Sequence, residues 1–240
     1  MTIIWKEFRE FIHQRGSKRG TIVMMGVPTL ILGVIFPLQS GMAWVESPFS
    51  LTAWLFVPVI MVVAIIADSF AGERERHTLE TLLASRLPDT TILFGKICAA
   101  MCYAVFITVV IVLLGLVTVN IAHGGGRLLM YPADIFSAGA VLCVMTSCFA
   151  ASLGVLISLR AATVRQAQQT LTIGIMVCAF APGILAEVLP DAVKISISTA
   201  LDSFGMGKLF LTVFVLLLIA DGILIALAKA RFKRTKLILD

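Results

Sequence analysis

The sequence predicts an all-α, polytopic membrane protein with six transmembrane helices. Two observations carry this. Hydrophobic residues make up 59% of the 240 and charged residues 14%, against about 25% charged in a soluble domain, and the mean hydropathy is +1.02. The apolar residues also gather in runs near the ~20 residues that cross ~30 Å of hydrocarbon. They lack the inside/outside alternation of about ten residues that barrel strands show. The whole chain, 1–240, reads as a single transmembrane domain.

Taken in order, residues 1–18 contain "WKEFREFIHQRG". Trp5, Phe8, Phe11 and Ile12 share one helical face, and Lys6, Glu7, Arg9 and Glu10 the other, as in a helix lying in the interface plane. It serves either as an anchor for the first span or as a hinge. A continuous apolar stretch with a small-residue cleavage site, the mark of a signal peptide, is lacking. Spans follow at 21–38, 51–70, 92–122 and 135–159; a fifth starts near 170, and the sixth is 209–228. The third exceeds the minimum and should tilt or project into water.

Lys and Arg set the orientation. Sixteen of the 19 fall in the amino-terminal arm, in the stretch after span two (Arg74, Arg76, Arg86, Lys96), between spans four and five (Arg160, Arg165) and in the tail. Only Arg127, Lys194 and Lys208 lie opposite. Both termini are therefore expected in the cytoplasm, with the chain in the inner (plasma) membrane. The net charge of +5 is a bias toward the inner leaflet and implies membrane lipid, not nucleic acid, as partner.

Enzyme signatures are missing. Cys98, Cys102, Cys143, Cys148 and Cys178 all fall inside predicted spans, without paired zinc-ligand spacing. They read as small buried apolar residues. Gly124 to Gly126 lack the Lys-Ser/Thr of a phosphate-binding loop; His13, His77 and His123 are scattered; no Gly-x-Ser-x-Gly elbow occurs. We expect no covalent chemistry, no metal and no cofactor bound by this chain.

The segment 71–91 is the informative one. Glu73, Arg74, Glu75 and Arg76 form an alternating-charge patch, expected to be hydrated, where span two leaves the membrane. Residues 78–85 can form a short helix ended by Pro88, with Glu80 in its first turn where a carboxylate suits the dipole. Leu79, Leu82 and Leu83 make an apolar stripe at i, i+3, i+4. Two turns are marginal alone in water. Either the rest of the bundle or a separate cytosolic protein must cover that stripe.

Two further features stand out. Pro182, Gly183 and Pro190 interrupt an apolar run over 182–208, to which Glu187, Asp191 and Asp202 add charge. Asp221 lies well inside span six, where a charge costs about 2.5–3.5 kcal/mol on insertion scales. It should face the bundle or a substrate path, either protonated or hydrogen-bonded to a hydroxyl such as Ser152 or Thr172. Asp68 reads as a solvated helix end.

The stretch "FAGERERHTLETLLASRLPDTTILFGK" resembles the segment joining the second and third spans of ABC transporter permeases of the type-2 exporter class. Gly72, Glu73, Arg74, Glu75, Thr78, Leu79, Glu80, Leu82, Leu83, Pro88, Gly95 and Lys96 fit that family's pattern. His77 stands where Gly is common, which a helix start should tolerate. "ISISTALDSFGMGKLFLTVFVLLL" is similar to the Ser, aromatic and Gly stretch ahead of the family's last helix. The resemblance implies that residues 71–91 carry a cytoplasmic coupling helix docking on a cytosolic ABC ATPase through residues 73–76, Thr78, Leu79, Glu80, Leu82 and Leu83. ATP and Mg would then be bound by that partner. It further implies a second permease copy or a homologous permease, and a re-entrant hairpin over 182–208 as an outer gate, with Glu187, Asp202 and Asp221 at the gate or path. Agreement comes from one point in the residues themselves, the lack of a Walker motif. Cargo stays open: aliphatic spans suit lipids, amphipathic peptides or drugs, and sodium or copper-related cargo occurs in related systems. Two other classes stay open, a secondary transporter and a membrane assembly or immunity factor that moves nothing.

Overall fold

The apolar runs fold into helices, and every regular element among the described residues is helical. The computed structural model describes residues 26–78, 88–190, 193–194, 196 and 206–232. In chain order the helices are α1 (Gly26–Ser40), α2 (Met42–Glu46), α3 (Leu51–Glu75), α4 (Asp89–His123), α5 (Ala133–Ser158), α6 (Val164–Val188) and α7 (Met206–Arg231). Helices α3, α4 and α5, and α7 over Phe210–Arg231, are long and apolar enough to cross a membrane. They contain the second, third, fourth and sixth expected spans. Over its described residues α1 is shorter, and α6 opens with the polar Arg165, Gln166, Gln168 and Gln169.

The expected break at Pro182 and Gly183 falls later. Helix α6 runs through both to Val188, and the helix is lost at Leu189 and Pro190. A proline inside a helix removes one donor, which a membrane helix can tolerate when neighbours take up the freed carbonyl. The arm 1–18 and most of 191–205 lie outside the described residues.

Helix α3 is central, touching α4, α5 and α6, while α7 packs on α5. The α3–α5 seam follows from small residues on one face of α5. Gly139, Cys143, Ser147, Ala150, Ala151, Gly154 and Ser158 are all buried. A Cβ on Gly139 would stand 2.7 Å from the Trp54 ring, and one on Gly154 would collide with Ile66 Cγ2. Close approach then allows a specific link: Ser158 Oγ donates to Ala67 O (3.1 Å) and accepts from Ala71 N (3.0 Å). These are the two groups that an α-helix would join directly, so α5 inserts a hydroxyl into the backbone ladder of α3.

The opposite end is held by aromatics. Trp44 of α2 is fully buried, its Nε1 donating to Tyr131 Oη (3.2 Å), which donates in turn to Val112 O (3.3 Å). Burial pushes the Tyr131 phenol up to about 12, although the Trp44 bond opposes this, so it remains a donor. Asn120 closes the α4–α5 connection by donating to Leu129 O (2.9 Å) and accepting from Leu129 N (2.8 Å). A π turn at Ile31–Ile35 in α1 presents the Gly33 carbonyl to Thr118 Oγ1, 3.0 Å away. Gly41, at φ +56°, separates α1 from α2 in a conformation that disfavours a side chain.

Replacing Gly154 by Ala should destabilise the protein by about 1–3 kcal/mol through overpacking on Ile66. Gly174→Ala, with open space around it, should not. Thermal melting of the two variants in detergent checks the pair.

Candidate functional site

The charged patch at the end of α3 is less hydrated than expected, because consecutive residues reach into different helices. Glu73 faces α4, where its Oε1 is 3.7 Å from Lys96 Nζ, with 2% of the lysine side chain exposed and 12% of the glutamate. Lys96 also donates to Ser69 O (2.8 Å) and sits 5.2 Å over the Phe70 ring. Phe70 in turn packs on Phe232, just beyond α7, with ring centroids 5.2 Å apart. Arg74 reaches α5: Nη2 donates to Leu159 O (2.9 Å) and Nη1 to Ala161 O (3.1 Å). A cation there also suits the negative end of the α5 dipole.

Glu75 addresses α6, its Oε2 accepting from Val164 N (3.2 Å) at the first helical residue. The same start is capped locally. Gln166 N donates to Thr163 Oγ1 (3.2 Å), and Gln166 Oε1 accepts from Ala162 N (3.0 Å), a near relative of the reciprocal capping box. Arg76 folds back to Asp68 (3.1 Å), with side chains 48% and 36% exposed. Asp68 is thus paired as well as solvated. At this exposure the pair adds little stability.

The end of α3 explains His77. Thr78 N donates to Glu73 O (2.9 Å) and His77 N to Arg74 O (3.1 Å), the paired bonds of a Schellman ending. His77 occupies the left-handed position at φ +56°. It therefore closes α3, where glycine is favoured; the helix expected over 78–85 lies, after Thr78, outside the described residues. Thr78 Oγ1 is also hydrogen-bonded to Glu73 Oε2, so Glu73 holds both Lys96 and the first residue of the loop. A Cβ on Gly72 would collide with the Asp68 carboxylate.

Of the residues singled out from sequence, Glu73, Arg74, Glu75, Arg76 and Thr78 are thus brought together at one junction. Leu79, Glu80, Leu82 and Leu83 lie outside the described residues, as does Asp202. Glu187 is exposed near the end of α6. Asp221 is 6% exposed on α7 and faces the Cys148 thiol of α5 beside Ser152. The expected hydrogen bond to Ser152 is not made: Asp221 Oδ1 and Ser152 Oγ are both buried without a hydrogen-bond partner among the described residues. The crossing of α7 on α5 brings the two into one region without aligning their dipoles. The internal roles of Arg74 and Glu75 were missed from sequence, since partners some 85 to 89 positions away leave no local pattern.

A bundle of apolar helices, with the Glu73–Lys96 ion pair buried between α3 and α4, defines a multi-pass membrane protein. The family model described as ABC-2 type transporter matches residues 1–190. The chain belongs to that family and is an ABC transporter permease, a transport subunit. No curated protein matches it.

Lys96→Met should cost roughly 3 kcal/mol by stranding the Glu73 carboxylate, and adding Glu73→Gln should recover part of that loss; melting of the single and double variants tests this. His77→Gly should raise stability by about 1 kcal/mol by relieving the left-handed conformation, read in the same assay.

Proposed function

We propose that this chain is the membrane-spanning half of an ATP-driven exporter. It crosses the inner (plasma) membrane six times, α1 and α6 completing the set, with both termini in the cytoplasm. A separate cytosolic ATPase binds ATP and Mg and docks on the loop after α3, where Leu79, Leu82 and Leu83 offer an apolar stripe and Glu80 a flanking charge. A second permease copy, or a homologous permease, completes the transporter. The segment 182–208, with Glu187 and Asp202, forms the outer gate, and Asp221 lines its inner approach.

One observation carries the reading: the root of the loop is tied to four helices at once. Glu73 links it to α4, Arg74 to the end of α5 and Glu75 to the start of α6, while Phe70 meets Phe232 after α7. A push on residues 79–87 therefore moves a braced assembly, and a lone flexible loop would absorb it. Helix α4 starts at Asp89, directly after Pro88, and continues to His123, a rise of about 50 Å at 1.5 Å per residue. Such a rod can carry displacement across the bilayer. Above the junction, the Ser158 hydroxyl in the α3 ladder supplies a place where α3 can bend.

Leu82→Asp and Glu80→Lys should each lower recovery of the cytosolic ATPase with the tagged permease by about tenfold, with the amount inserted in the membrane unchanged. Undiminished recovery in the combined variant overturns the docking assignment. Transport by the purified chain alone, driven by an ion gradient, would instead make it a secondary transporter.

A further inference from the structure

A cleft of about 390 Å³ opens where the end of α5, the start of α6 and the end of α7 meet. It is lined by Arg160, Arg231, Gln166 and Thr170 on the polar side and by Leu156, Ile157 and Leu227 on the apolar side. Among the described residues no carboxylate lines it. Glu75, the acidic residue that reaches this connection, is occupied by Val164 N. Arg160 and Arg231 are both exposed, and neither guanidinium makes an ion pair or hydrogen bond among the described residues. The Gln166 carbonyl oxygen is used by Ala162 N, which leaves its amide hydrogens available as donors.

This arrangement has a direction. Two walls belong to α5 and α7, helices apolar enough to cross the bilayer, so the leucine and isoleucine side of the cleft lies toward acyl-chain depth. The guanidinium groups lie at the ends of α5 and α7, whose negative dipole ends they suit, and the positive end of α6 faces the same space. An apolar floor beneath a pair of unneutralised arginines matches a molecule with acyl chains and an anionic head. Basic pockets between membrane helices on the cytoplasmic side are suited to such headgroups.

We propose that this cleft is a binding site for an anionic phospholipid, its phosphate held between Arg160 and Arg231. Gln166 and Thr170 donate to the phosphate or glycerol oxygens, and Leu156, Ile157 and Leu227 contact the first acyl carbons. The site adjoins the Leu159–Thr163 connection that Arg74 and Glu75 grip, so an occupied cleft stiffens the junction that holds the loop. The inference rests on the membrane assignment alone and not on ATPase docking.

The test is native mass spectrometry of the full chain in detergent, titrated with phosphatidylglycerol and, separately, phosphatidylcholine. The wild type should prefer the anionic lipid by about tenfold. Arg160→Gln combined with Arg231→Gln should abolish the preference, whereas Arg165→Gln with Lys229→Gln, which removes the same charge from the same end of the bundle outside the cleft, should retain it. Both double variants are first shown to melt as the wild type does. Equal loss in both would reduce the effect to general surface charge and overturn the site, as would no preference in the wild type or full preference in the cleft variant. Displacement of phosphatidylglycerol by millimolar inorganic phosphate would assign the arginines to a soluble anion and overturn the lipid. Because no ATPase is present, failure here leaves the docking proposal untouched.

Discussion

The burial of Lys96 constrains the end of the bundle where α3 finishes and α4 begins. An ammonium group withdrawn from water requires compensation, and three groups supply it: the Ser69 carbonyl, the Glu73 carboxylate and the face of Phe70. All three sit on the last two turns of α3. The start of α4 is therefore fixed against the end of α3.

Around this pair the structure distributes its remaining charges by position along α3. Successive helical residues point about 100° apart, so Glu73, Arg74 and Glu75 necessarily face three directions. Glu73 meets the Lys96 side chain, and the other two directions each hold a helix end with unsatisfied backbone groups: carbonyls at the end of α5 for Arg74, an amide at the start of α6 for Glu75. A short alternating-charge run thus closes the ends of two helices that lie far away in sequence. Such bonds cost less in lost mobility than freely projecting side chains would, because α3 already holds the residues in register.

The two ends of the molecule are built differently. At the far end, Trp44 and Trp54 pack against Gly115 and Gly139, Trp44 bonds Tyr131, and Trp54 meets Phe136 edge to face at 5.5 Å. At the other end, hydrogen bonds and charge predominate, and the Ser158 hydroxyl of α5 bridges two backbone groups of α3.

Composition and the lengths of apolar runs were enough to determine an all-helical membrane protein, because helix formation in lipid depends on local backbone satisfaction. The positions of α3, α4, α5 and α7 were legible for the same reason. His77 was readable as a departure from glycine, but its cause, a left-handed helix ending, was not. Which helix each charge serves, the insertion of Ser158 into α3, the unmet partners of Asp221 and the pairing of Arg160 with Arg231 across a cleft were decided only by tertiary packing. Those contacts join residues separated by tens of positions, and a helical period specifies which face a residue occupies, never which neighbour stands opposite it.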